Sequence, residues 1–300
     1  MVKPGNPTRT MPVTSRRRTL TVQAPRGPGR VIEFGVMQDR YVGDIGDFGK
    51  YALLNAFAGD DLRLGVHWYL NTDEEGNTDG KFTEYRHLSS CDPPLFEALQ
   101  NLVRDGRRSV AEVERARILP ANTLFYSLPF SSRDSFGRAS RRAAWNARAL
   151  EVLAEADLVF MDPDNGLTRR PASLMGAAAA KYVSPEEVGP YFRRGNSLII
   201  YHHQTREKGG LAVTISEKFA LLRSLGCERP WAFVFRRTSV RVYFLMPAPG
   251  HISILEKRSY EFLDTSWGAP DTLNSNSQTA DEPIDRDEPS ATLQVISPCH

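Results

Sequence analysis

Cysteine is scarce in this chain: Cys91, Cys227 and Cys299 are the three in 300 residues. They are odd in number and far apart, which excludes a disulfide framework and a cysteine-spaced metal site. A reduced, cytoplasmic setting is the expectation. Long apolar runs are also lacking. None reaches the roughly 18 residues that a spanning helix needs, so no membrane partner is expected. The basic N-terminus has no apolar stretch behind it and does not read as a secretory signal. Charge of one sign is the third lack. Lys and Arg number 38 against 36 Asp and Glu, a formal net charge of +2. That argues against a strongly basic, nucleic-acid-coating body.

What charge there is sits at the ends. Residues 1–30 carry Lys3, Arg9, Arg16, Arg17, Arg18, Arg26 and Arg30 and no acid. From Asp271 onward there are six acids and Arg286 as the one base. Both ends are rich in Pro, Gly, Ser, Thr or Asn without periodicity, the composition of segments that cannot bury enough apolar surface to fold. The expected organisation is a disordered basic arm over 1–30, one folded domain over 31–268 and a disordered acidic tail over 269–300. Hydrophobic residues make up 41% and charged residues 25% of the chain, enough for an ordinary core.

Inside the domain, strand-like and helix-like segments alternate. Helices are expected at 49–57, 94–104, 110–116, 138–156, 185–192 and 215–225. Ser184 reads as an N-cap, and Gly226 as the residue that ends the last of these helices. Strands are expected at 64–70, 123–128, 158–161 and 198–201, with a closing hairpin of 232–236 and 240–246. Repeated strand-then-helix order implies a mainly parallel sheet with helices on both faces. The hairpin adds an antiparallel edge. The fold class expected is therefore α/β, Rossmann-like.

Four constellations carry the candidate chemistry. In Asp162-Pro163-Asp164-Asn165-Gly166, a buried strand is stopped by a proline that has no N–H to give. Polar groups are thereby delivered to a strand's carboxyl end, where ligands bind in open α/β sheets. The Asp162 carboxylate and the Pro163 carbonyl are paired acceptors for an exocyclic amine. The stretch Tyr201-His202-His203 repeats the layout one strand on; adjacent strand residues point to opposite faces, so His202 or His203 is the candidate for base contact or proton transfer. The stretch Tyr41–Tyr51 has glycines at 43, 46 and 49, Asp44, Asp47 and Lys50. It lacks the P-loop and dinucleotide glycine spacings, but a glycine-rich turn opening a helix, with Lys50 adding charge, suits an anion. The polar loop 71–80 follows a strand directly, with Asp73, Gly76 and Gly80 as its notable members.

This order of parts resembles the adenine-N6 methyltransferases that modify large-subunit ribosomal RNA. In that family an aromatic and a Gly/Asn/Asp-rich turn ending in Lys precede a helix, as Tyr41, Gly43, Asp44, Asp47 and Lys50 do here. A strand with a polar glycine-containing loop follows, and later a strand bearing Asp-Pro-Pro-Tyr, matched by Asp162-Pro163-Asp164-Asn165. The resemblance spans about 37–265. It implies a Rossmann-like fold and S-adenosylmethionine as cofactor. Tyr41, Gly43, Asp47, Lys50, Asp73 and Gly76 would line the cofactor site, with Lys50 pairing with the cofactor carboxylate. Asp162, Pro163, Asp164 and Asn165 would lie at the reacting centre, to which the separate strand-end reading adds His202. The chain lacks the family's Gly-x-Gly, and Asp164 and Asn165 stand where the family has proline and an aromatic that stacks on a flipped base.

Three functions are expected. The first is methyl transfer from S-adenosylmethionine to an amine of a nucleic acid or nucleotide, with RNA or DNA as the substrate partner. The second is a metal-dependent phosphoesterase or nuclease, with Mg²⁺ or Mn²⁺ held by Asp44, Asp47, Asp73, Asp162, Asp164 and His202. The third is a non-catalytic nucleic-acid- or partner-binding module using the basic arm and Arg236-Arg237. The oligomeric state is not legible.

Overall fold

The computed structural model describes Met1 and residues 37–71, 80–168, 176–204, 209–237, 239–268 and 292–296. The chain divides into two units, Met1–Glu33 and Phe34–His300. Of the first, Met1 alone is described. The basic arm, Asp73 and Gly76 lie outside the described residues.

The strands of the second unit are β1 (Leu64–Trp68), β2 (Leu124–Tyr126), β3 (Leu158–Asp162), β4 (Gly166–Leu167), β5 (Tyr182–Val183), β6 (Ser197–His203), β7 (Trp231–Arg237), β8 (Ser239–Met246) and β9 (Thr292–Ile296). Seven form one sheet in the order β2-β1-β3-β6-β8-β7-β9, while β4 and β5 pair by themselves. The pairs β1–β2, β1–β3 and β3–β6 are parallel. β8 runs antiparallel to both β6 and β7, so β7 points the same way as β6. β9 lies parallel to β7. Among the described strands of this sheet, β8 alone is reversed. The expected parallel sheet with a closing antiparallel hairpin is what the structure shows. β9 falls inside the stretch expected to be a disordered tail, so for these five residues the structure differs from that expectation.

The helices are α1 (Ile45–Ala58), α2 (Pro93–Arg104), α3 (Val110–Arg115), α4 (Arg138–Val152), α5 (Pro185–Arg193), α6 (Gly210–Ser224) and α7 (Ile252–Leu263). Alternation along each strand sends side chains to opposite faces. Leu158 and Phe160 join the core beneath α1, α2 and α7. Val159 and Met161 join the core beneath α4, α5 and α6. The same period puts Ile199 in the first layer and Leu198 and Ile200 in the second.

α1 begins four residues before the helix expected from sequence, and the glycines explain the difference. Gly46 and Gly49 are one helical turn apart, so they share a face. A Cβ on Gly46 would come within 2.5 Å of the Arg241 guanidinium, and one on Gly49 within 2.7 Å of the Phe235 ring. These glycines let the helix press onto β7 and β8 rather than open a turn. Further along α1, Phe57 is fully buried, with its ring centroid 5.0 Å from that of Phe233. Burying such a side chain contributes roughly 1.5–3 kcal/mol. The end of α1 is tied down from α7, a helix not expected from sequence. Arg258 of α7 donates to the carbonyls of Phe57 and Ala58 at 2.7 and 2.8 Å, satisfying acceptors that a helix C-terminus leaves open.

Candidate functional site

The chain leaves β1 for β2 on one side and later returns to β3 on the other. Connections that depart in opposite directions leave a crevice at the strands' carboxyl ends. A cleft of about 350 Å³ opens there, between the start of α1 and the ends of β1, β3 and β6. That size falls at the lower end of small-molecule sites, roughly 300–1,000 Å³.

Three buried charges meet in its wall. The Lys50 ammonium lies 2.8 Å from Asp47 Oδ1 and 2.9 Å from Asp162 Oδ2. Burial pulls the lysine toward its neutral form, but Asp162 and then Asp47 outweigh it and hold its pKa well above the ordinary value. Asp162 feels the reverse balance: burial raises its pKa while Lys50 pulls it down. The ammonium also sits over two rings, 5.1 Å from the Tyr51 centroid and 5.5 Å from that of Trp68. Such cation–π contacts add to its retention in a desolvated place.

Asp44 caps α1, accepting from the N–H groups of Gly46 at 2.7 Å and Asp47 at 3.0 Å. The Ile45 N–H goes to the Phe82 carbonyl and that of Phe48 to the Asp44 carbonyl. The opening donors of the helix are thus satisfied by the chain itself. The anion site expected at this glycine-rich turn is not formed, because the protein's own carboxylate stands in it. Asp44 is pushed up to about 6 by burial and by the neighbouring Asp47, while Arg241, 3.9 Å away, draws it down.

Of the residues singled out in the sequence, Tyr41, Asp44, Gly46, Asp47, Lys50, Gly80, Asp162, Asp164 and Asn165 line the cleft. Gly43 does not. Its φ is +80°, and a Cβ there would meet Val103 Cγ2 at 2.5 Å, so its glycine serves the approach of α2. Pro163 is buried beside the cleft without lining it. His202 is on the wrong face. Strand β6 continues through both histidines rather than ending before them, so they point to opposite sides. His203 lines the cleft. His202 packs against Phe244, with ring centroids 5.7 Å apart, and against the backbone of Gly166, where a Cβ would lie 2.2 Å from His202 Nδ1. Burial lowers the His202 pKa to about 3, which keeps the ring neutral.

Lys50 also departs from its expected role. Its charge is engaged by Asp47 and Asp162 within the protein, not held out for a cofactor carboxylate. Trp68, Lys81, Lys181, Tyr201, Arg241 and Tyr243 line the cleft as well. Of these, Arg241 left a signal in the sequence: it is a single base within the apolar run Val240–Met246. Tyr201 had stood out as the start of the Tyr201-His202-His203 stretch. Trp68 and Tyr243 became visible only when β1 and β8 were brought to the cleft, and Lys81 and Lys181 lie outside the strands.

No family model matches the chain, and no curated protein matches it. Among solved structures it is similar to the crystal structure of protein LPL1258 from Legionella pneumophila str. Philadelphia 1, described with the family model DUF519, at a TM-score of 0.38 and 10% identity over 74% of this chain and 91% of that chain. A likeness that distant assigns neither fold nor function, and the fold rests on the chain's own strand order.

Proposed function

We propose that the cleft is the active site of an S-adenosylmethionine-dependent methyltransferase acting on an amine of a nucleic acid or nucleotide. One observation supports this most. Asp162-Pro163 stands at the carboxyl end of the strand next to β1, across the point where the chain changes direction, in a mainly parallel sheet whose one reversed strand among those described lies between β6 and β7. That is the layout implied by the resemblance of Asp162-Pro163-Asp164-Asn165 to the Asp-Pro-Pro-Tyr strand end.

The residues present suit such a cofactor in charge and shape. Tyr41 and the half-exposed Phe82 offer ring faces at the rim, and Lys81 and Lys181 offer positive charge for a carboxylate, while Asp47 is engaged by Lys50 and the Tyr51 hydroxyl. When bound, the cofactor supplies an activated methyl group. The protein's share is alignment and charge stabilisation. Lys50 fixes Asp162, whose carboxylate accepts a hydrogen bond from the substrate amine and stabilises the positive charge that grows on its nitrogen. Pro163, buried beside the cleft without lining it, ends the strand and sets the position of Asp162, which aligns the amine.

The metal-dependent reading gains less. The Lys50 ammonium occupies the space between Asp47 and Asp162 that a divalent ion would need. Among the described residues, no group of three or more His, Cys, Asp or Glu is placed to hold one.

Incubation with methyl-labelled S-adenosylmethionine and RNA, single-stranded DNA or free nucleotides tests the proposal. Label is expected in one of these acceptors, and it should vanish in Asp162→Ala and Asp162→Asn proteins that still bind S-adenosylhomocysteine. Undiminished transfer by both variants would remove Asp162 from the mechanism. No transfer to any acceptor would count against the whole reading.

A further inference from the structure

Trp68, in the wall of the cleft, is held from outside it. It is the last residue of β1, is 1% exposed and lines the cleft. Its indole Nε1–H donates to Glu114 Oε1 at 3.0 Å. Glu114 belongs to α3, is half-buried and does not line the cleft. The same carboxylate oxygen accepts from the Ser127 hydroxyl. β1 and β2 are in register through His67 and Tyr126, so Trp68 and Ser127 are the next residues of neighbouring strands. One carboxylate oxygen therefore ties two strand ends together.

Two features set this contact apart from the mere pairing of donors. The first is charge. The indole and the hydroxyl are both neutral donors, and a glutamine would bring the same accepting oxygen. A carboxylate makes stronger, charge-assisted bonds. The second is what the indole carries. The Lys50 ammonium lies 5.5 Å from the Trp68 ring centroid and 2.9 Å from Asp162 Oδ2, and Trp68 and Asp162 are cross-strand partners. A negative charge bonded to the indole N–H polarises the ring and makes its face more attractive to a cation. Contacts thus run unbroken from Glu114 through Trp68 and Lys50 to Asp162. If Glu114 is removed, a buried N–H loses its partner and the ring under the ammonium is free to turn.

We propose that Glu114 is a positioning residue for this site: through the Trp68 indole it fixes the seat of the Lys50 ammonium, and with it the orientation of Asp162. The contact chain stands on its own geometry. What Asp162 does at the end of it rests on the methyl-transfer reading.

A double-mutant cycle on the full chain tests the proposal with two readouts. The first is NMR of the Trp68 indole N–H and the Lys50 Nζ, which needs no substrate. The second is the rate of methyl transfer from labelled S-adenosylmethionine to whichever of RNA, single-stranded DNA or free nucleotides takes the label. In Glu114→Gln the indole N–H signal should persist, because an accepting oxygen remains, while Lys50 should lose its proton at a lower pH than in the unaltered chain. In Glu114→Ala the indole N–H should exchange with solvent at least about tenfold faster, its bond being gone. In a Trp68→Phe background, which has no indole N–H to hold, adding Glu114→Gln should leave the Lys50 titration where Trp68→Phe alone puts it. Transfer should slow about tenfold in Glu114→Gln with KM for S-adenosylmethionine unchanged, because Glu114 does not reach the cleft. An unmoved Lys50 titration in Glu114→Gln reduces Glu114 to a partner for two donors and overturns the proposal. An equal shift with and without the indole shows the charge acting through space and overturns it as well. An undiminished transfer rate in a variant whose Lys50 has responded overturns the positioning role. If Lys50 responds through Trp68 and no acceptor takes label, the contact chain stands and the methyl-transfer reading fails.

Discussion

Lys50 decides the character of the cleft. Its ammonium holds two carboxylates that would otherwise face each other in a desolvated wall. Removing one partner of a buried ion pair leaves an uncompensated charge, at a cost of about 3–5 kcal/mol. Lys50→Met should therefore lower the unfolding free energy in urea by about that amount. Lys50→Met combined with Asp162→Asn should recover part of the loss, because one orphaned charge is gone. A loss below about 1 kcal/mol in the single variant would mean that the lysine is solvated and the pair weak. Asp44 gives a second residue-scale expectation. Its folded pKa of about 6 lies above the ordinary 3.8, so the folded state binds this proton more tightly than the unfolded one. Its contribution to stability is fully present below about pH 4 and is lost as pH rises through about 6. Asp44→Asn keeps a capping oxygen for α1 and should remove that fall, which denaturation midpoints across pH 4 to 7 would show. An unchanged pH dependence would place Asp44 in an ordinary, solvated state.

At the scale of elements, α1 and β1 each offer a test of packing. Alanine in place of glycine normally favours a helix by about 1 kcal/mol. At position 49 the added methyl would meet the Phe235 ring at 2.7 Å, and overpacking costs about 1–3 kcal/mol. Gly49→Ala should thus destabilise the protein despite the better helix propensity, whereas a stabilised variant would show that α1 and β7 are not so tightly pressed. On β1, His67 points away from the cleft into a cluster of rings, 4.4 Å from Tyr69 and 4.6 Å from Trp145 by centroid. Neither ring nitrogen has a hydrogen-bond partner among the described residues. Burial, and then Arg142, lower its pKa to about 3. The unfolded chain takes up this proton near pH 6.5 and the folded chain does not, so stability falls as pH drops from 6.5 toward 3. His67→Phe should lift stability at pH 5 by about 2 kcal/mol more than at pH 8. An equal effect at both values would mean that the folded ring does take up a proton.

At the scale of the molecule, the parallel sheet, the closing hairpin and the polar end of β3 were legible because each is written locally: an apolar run, a proline stop, a turn. The limits were physical as well. The helix start at Ile45 was hidden because Gly46 and Gly49 carry a long-range packing requirement that looks, locally, like a turn. α7 was hidden because its buried face includes Arg258 and Ser259, polar residues that blur the apolar period and that find partners only in the folded chain. The choice between His202 and His203 turned on where β6 ends, and two residues of strand reversed it. The pairing of Lys50 with Asp162 joins positions 112 apart in sequence, and no local pattern announces it. The cleft is therefore a product of topology: the strand order brings α1, β1, β3, β6 and β8 to one edge, and their separate motifs become one site there.

The central claim is that this site takes S-adenosylmethionine. Calorimetric titration of the full chain with S-adenosylmethionine and S-adenosylhomocysteine, beside Mg²⁺ and Mn²⁺, tests it most directly. Saturable, micromolar binding of both nucleosides at one site, unaffected by chelator, is the predicted result. Absence of nucleoside binding, together with saturable Mn²⁺ binding that requires Asp162 and Asp164, would contradict it and make phosphoester chemistry the working account.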